Sequence, residues 1–180
     1  MPLTGWKPTP PPLEDLPRDT DDYYEVYVGA THPRKTEPVA TWNVLLCKQT
    51  HARIYNLNTL EDGSYKHEIK ENETDFRSGR YKEWFPCGSL CEIDLDRFEG
   101  DWGLTHGGPS QSFVCRAFAR MSGQGLFEEY VVEGLKVDAV DAVDAVDADE
   151  EEGDDGGYYD FNEKHLQVRG DEEGRTCPRW

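Results

Sequence analysis

Five cysteines and five histidines give this chain its widest chemical range. Cys115 falls within a predicted helix. A thiolate there, paired with an imidazole from His51, His67 or His106, would be a displaced nucleophile for a cysteine hydrolase or acyl-transferase. The bland reading of a lone helical cysteine is a small core residue. Cys87 and Cys91, with His106 and Cys115, would offer zinc four nitrogen and sulfur ligands. The Cys-x3-Cys spacing suits a metal, but the distance to His106 and the helical placement of Cys115 fit no standard knuckle. Two unconnected core cysteines account for the pair as well. The five histidines follow no i, i+4 pattern. Gly103 to Gly108 is glycine-rich but lacks the lysine and serine or threonine of a phosphate-binding loop and reads as a connector before a helix; no cofactor is expected.

These residues need elements to hold them. Tyr23-Tyr24-Glu25-Val26-Tyr27-Val28 is aromatic and β-branched and predicts a strand. Trp42-Asn43-Val44-Leu45-Leu46-Cys47 predicts a second strand, apolar on both faces and therefore central. A polar turn at 48–50 joins it to a hairpin partner over 51–57. Residues 64–70 alternate and suit a half-exposed strand. Residues 84–90 contain Pro86, which places them at a sheet edge. A short helix is expected within 91–102 and another within 128–136. The clearest helix starts after Pro109, with Ser110 as N-cap. Phe113, Val114, Ala117, Phe118 and Met121 form one stripe at helical spacing, and Gly123 is the stop. The fold class is α+β: a small antiparallel meander sheet packed on one main helix. The aromatics Trp42, Tyr55 and Trp84, with Gln111, are candidate binding residues along a cleft, although each aromatic is more simply read as core or rim.

Three short stretches carry a resemblance: residues 40–44 around Thr41-Trp42, residues 67–72 with Glu68 and Asn72, and residues 107–114 around Pro109-Ser110-Gln111. Their order resembles a group of small fungal proteins similar to circularly permuted relatives of the NlpC-type branch of the papain-like fold. The similarity spans residues 23 to 135. It implies a base at position 41 and a nucleophile at position 110. Here Thr41 stands where that group has His, and Ser110 where it has Cys. Threonine is no base near neutral pH, and a serine hydroxyl needs one. The resemblance therefore implies the fold without the chemistry, a degenerate papain-like interaction or binding module. Without the resemblance, Ser110 is a helix cap and Thr41 a strand-edge residue.

Composition sets the flanks and the partners. The chain has 180 residues and a net charge of -18. The acid excess concentrates in residues 137–180, where three Asp-Ala-Val triplets run into an acidic block; residues 23–136 are nearly balanced. The triplet period matches neither strand nor helix, so 137–180 is expected to be a mostly disordered tail. Residues 1–22 carry six prolines and are expected to be a disordered, solvated leader. The single domain is thus expected at 23–136. Nucleic acid needs a clustered basic face and is excluded as a partner. No apolar run is long enough for a membrane span, and the start of the chain has no signal-peptide pattern. A protein or peptide partner, basic if the tail does the recognising, fits best. Reduced thiols in the cytoplasm or nucleus are expected.

Overall fold

The computed structural model describes residues 5–33 and 40–139. The acidic tail, and with it the reading of residues 140–180 as disordered, lies outside the described residues.

Five strands form one antiparallel sheet. They are β1 (Tyr23–Thr31), β2 (Trp42–Cys47), β3 (Ala52–Thr59), β4 (Tyr65–Glu73) and β5 (Tyr81–Cys91), in the spatial order β4-β3-β2-β1-β5. The first four make a meander, and β5 returns to pair with β1. All six residues of β2 are buried, as its unbroken apolar run requires of a central strand. Pro86 lies in the edge strand beside a register shift opposite Val26 and Tyr27, where a missing N–H disturbs the ladder least. Gly29 in β1 is required by packing, because a Cβ there would sit 2.6 Å from the Tyr81 ring and 2.9 Å from Leu45.

Three helices follow: α1 (Leu95–Leu104), α2 (Ser110–Gly123) and α3 (Glu129–Asp138). The α2 stripe of Phe113, Val114, Ala117, Phe118 and Met121 is fully buried. It packs on the sheet face that presents Val26, Val28, Val44, Leu46, Tyr55 and Leu57. We call this the front. Phe98 and Trp102 of α1 stand edge-on to Tyr55 at 5.0 and 5.7 Å, and Trp102 meets Phe113 at 4.7 Å. Burying such rings contributes about 1.5–3 kcal/mol apiece. After Gly123 the chain turns through Gly125, at φ 76°, and Phe127 returns to contact Phe118 at 4.8 Å.

The back face carries a smaller cluster, in which Leu45, Cys47, Ala52 and Ile54 meet Leu16, Phe76, Tyr81 and Trp84. Leu16 belongs to the leader, which departs from the expected solvated segment. Trp6 is buried on the front against Trp42 and Phe85, with ring centroids 5.1 and 5.5 Å away. Its indole N–H donates to Asp138 at 2.7 Å. Lys7 exchanges two backbone hydrogen bonds with Trp84 of β5. Arg77 then donates to the Pro11 carbonyl, and Leu16 reaches the back face. The leader is a strap around the β5 edge. The prolines stiffen it, and two apolar side chains among them give it something to bury. Lys48 fastens its far end: the ammonium, 3 % exposed as a side chain, donates to the carbonyls of Asp19 and Asp21 and to Glu92.

The thiols also depart in part from expectation. Cys47, Cys87 and Cys115 are free, whereas Cys91 is disulfide-bonded.

Candidate functional site

The Cα register of β2 with β3 runs from Cys47–Ala52 to Val44–Tyr55 and stops there. Beyond it, β3 continues alongside β4 to Thr59, while Trp42 and Asn43 continue alongside β1. The two strands splay apart. Backbone hydrogen-bonding directions alternate along a strand. Thr41 bonds toward β1, through its carbonyl to Thr31 N–H and its N–H to Thr31 Oγ1. The N–H of Trp42 consequently faces the gap, where β3 no longer supplies an acceptor.

The first turn of α2 fills that gap. Trp42 N–H donates to Ser110 Oγ at 3.1 Å, and Gln111 Nε2 donates to the Ala40 carbonyl at 3.1 Å. Ser110 is the first helical residue rather than the N-cap. The flanking position is taken by Pro109, whose carbonyl accepts from Phe113 N–H. The hydroxyl that was expected to cap the helix is drawn to the strand because an orphaned N–H beside a sheet costs more than a missing cap contact at an exposed turn. The preceding glycines bring the turn close: a Cβ on Gly107 would meet the Tyr65 ring at 2.7 Å, and one on Gly108 would meet Arg116 at 2.6 Å. The guanidinium of Arg116 donates to the carbonyls of His106 and Gly107.

A cleft of about 810 Å³ opens at the splay and extends onto the back of the sheet. Its floor is polar. Asn43 and Asn56 are 3 % and 4 % exposed, on strands where apolar residues would be the ordinary choice. Asn43 Nδ2 donates to the Tyr81 hydroxyl at 3.4 Å. Asn56 Nδ2 and Asn58 Nδ2 both donate to Glu68 Oε2, at 3.3 and 3.1 Å, and Lys70 Nζ lies 3.7 Å from the same oxygen. These amide donors, Asn58 foremost, hold the Glu68 carboxyl below the usual range. Asn56 Oδ1 is buried without a hydrogen-bond partner. The walls are Thr31, Thr41, Ser110 and Gln111, and the rim includes His32 and Arg80.

Of the residues singled out in the sequence, Thr41, Ser110 and Gln111 come together here. Trp42, Tyr55 and Trp84 do not line the cleft; they are 3 %, 0 % and 2 % exposed within the cores. His51 lies at the far turn of the β2–β3 hairpin, 3.5 Å from Asp19. His67 faces the front, edge-on to Phe113 and Trp102. His106 is exposed on the loop before α2. Cys115 is 4 % exposed in the front core, and burial pushes its thiol up to about 12. A thiol with that value is almost entirely protonated at neutral pH. Cys87, Cys91, His106 and Cys115 do not assemble, and among the described residues no group of three or more potential ligands stands close enough for a metal. No helix among the described residues is long and apolar enough to cross a membrane.

The floor residues Asn43, Asn56 and Asn58 and the rim residue Arg80 were not anticipated from the sequence, where Glu68 entered only through the resemblance. A signal was present: Asn43 interrupts an otherwise apolar run, and Asn56 and Asn58 share one face of a strand. Compared with family models, with curated proteins and with solved structures, the chain finds no match.

Proposed function

We propose that this chain is a binding module without hydrolytic chemistry, with the cleft at the N-terminus of α2 as its recognition site. One observation carries the reading. Ser110, at the position where a permuted papain-like protein would hold its nucleophile, uses its oxygen to accept the Trp42 N–H. No hydrogen bond joins it to His32, Glu68 or Lys70, the cleft residues whose side chains could act as a base. The neighbouring side chain at position 41 is a threonine hydroxyl. A hydroxyl nucleophile needs a positioned base within hydrogen-bond reach, and none is supplied among the described residues. The adjacency of Ser110 to residues 40–42 supports the papain-like resemblance in arrangement, and the side chains support loss of its reaction. The Cys115 alternative is disfavoured by burial of the thiol. The acid excess of residues 137–180 supports a basic protein or peptide as an additional electrostatic partner. A cytoplasmic or nuclear setting belongs to the same reading, with the disulfide at Cys91 weighing against it.

The test is chemical. The full chain at neutral pH is exposed to a fluorophosphonate and, separately, to iodoacetamide, and adducts are mapped by mass. Ser110 is expected to stay unmodified, and Cys115 to react no faster than Cys47. A stoichiometric adduct on Ser110, or preferential labelling of Cys115, overturns the reading.

A further inference from the structure

The cleft has an electrostatic character unlike the rest of the chain. The protein carries a net charge of -18. Among the described residues that line the cleft, the one carboxylate, Glu68, is engaged by Asn56, Asn58 and Lys70. Arg80 lines the rim and makes no ion pair among the described residues; its guanidinium lies over the Tyr81 ring at 5.5 Å. The first turn of α2, whose positive dipole end faces the cleft, contains no acidic residue. Charges beyond about 8 Å are largely screened at physiological ionic strength, so these local groups decide what binds. They favour an anion at the Arg80 side.

The floor asks for something more than an anion. Asn56 Oδ1 is an acceptor without a partner among the described residues, buried at 4 % residue exposure, and a bare phosphate or carboxylate offers it nothing. Ser110 Oγ has accepted one bond, from Trp42, and its hydroxyl proton remains available to donate. Asn43 and Thr41 add groups of mixed polarity. A floor that offers an acceptor, a donor and amides side by side matches a ligand whose groups both donate and accept, as hydroxyls do. Ala40, Leu57 and Pro109 supply apolar lining, but no aromatic ring does, and the floor itself is amide and hydroxyl, which suits a polar ligand better than an apolar one.

Resting on the reading of this cleft as the recognition site, we infer that its ligand is a small polyhydroxylated anion, a sugar phosphate or a sugar acid. The anion lies against Arg80 and the α2 N-terminus, and the hydroxyls lie over Asn56 and Ser110.

The full chain, labelled with 15N, is titrated separately with glucose 6-phosphate, gluconate, glucose, inorganic phosphate and the tripeptide Ala-Ala-Ala, following the amides of Asn43, Asn56 and Ser110. Saturable shifts are expected with glucose 6-phosphate or gluconate, whichever source of the anion fits, and about tenfold weaker binding for glucose and for phosphate. Arg80→Gln, at an exposed position, is expected to weaken the hydroxylated anion about tenfold. Asn56→Leu is expected to do the same without lowering the melting temperature. Phosphate binding as tightly as glucose 6-phosphate overturns the inference, as does undiminished binding by either variant. Shifts with the tripeptide alone overturn the inference and leave the cleft as a recognition site. No shifts with any of the five overturn both.

Discussion

The two faces of the sheet are built from alternate residues of the same strands and have opposite characters. Tyr55 and Asn56 are adjacent in β3. Tyr55 points to the front, where Phe98 and Trp102 of α1 meet its ring and its hydroxyl donates to Glu99 at 2.8 Å. Asn56 points to the back, where it donates to Glu68 and leaves Oδ1 unpaired. The front is closed by apolar contact. The back is closed in part by the leader and the residue 76 region, and the remainder, at the cleft, is polar and open. A strand can serve both faces because its side-chain period is two, so each face evolves at alternate positions without moving the backbone. The lesson is that a sheet buried on one face has spare positions on the other at which binding groups can be placed.

The front face has the most to lose from a single substitution. Phe113→Ala, which removes a fully buried ring touching Trp102 and His67, is expected to lower stability by about 3–5 kcal/mol in urea unfolding. A value below about 1 kcal/mol would show that the front is not the principal core. The strap comes next. Trp6→Ala loses packing on Trp42 and Phe85 and the bond to Asp138, with an expected loss of about 2–3 kcal/mol at this peripheral site. An unchanged melting curve would return the leader to solvent.

A pair of smaller substitutions sharpens the contrast between neighbours. Tyr55→Phe strips a hydrogen bond from the front and is expected to destabilise by about 1 kcal/mol. Asn56→Leu removes an unsatisfied buried acceptor from the back, while Glu68 keeps Asn58 and Lys70. It is expected to stabilise by about 1 kcal/mol. Equal signs in thermal melts would erase the distinction between the faces.

The smallest effect is in pH. Burial raises the Glu25 carboxyl above its ordinary 4.5, against the lowering contributed by Ser89. The folded state therefore holds this proton more tightly than the unfolded chain, and ionisation weakens the fold. Stability from this group is gained as pH falls from above the raised value toward 4.5, and is lost on the way up. Glu25→Gln is expected to flatten that dependence and to raise the melting temperature slightly at pH 7. A steeper dependence in the variant would reverse the assignment.

The regular elements were legible because their signals are local. The aromatic and β-branched runs of β1 and β2, the helical stripe from Phe113 to Met121 and the edge position of Pro86 each follow from period or from a missing donor. The meeting of residues 40–42 with Ser110 was legible only as a pattern shared with other proteins, since sixty-eight positions separate Trp42 from Ser110. The floor of the cleft was not legible. It joins β2, β3, β4 and the turn before β5, and nothing in Asn43 or Asn56 taken singly distinguishes a binding amide from a tolerated one. The strap was missed for a compositional reason: six prolines outweighed Trp6 and Leu16, although two apolar anchors suffice to dock a segment whose backbone proline has already stiffened.

The bond between Trp6 and Asp138 spans 132 positions. It acts as a buckle between the strap and the final turn of α3. Tension applied between residues 5 and 139 would load this buckle and the Lys7–Trp84 bridge before it reached the long ladder between β1 and β5. The protein would give way in two steps, first at its fastening and then through its sheet. By the same coupling, a binding event that slackens α3 would loosen the strap, and one that tightens the strap would steady α3.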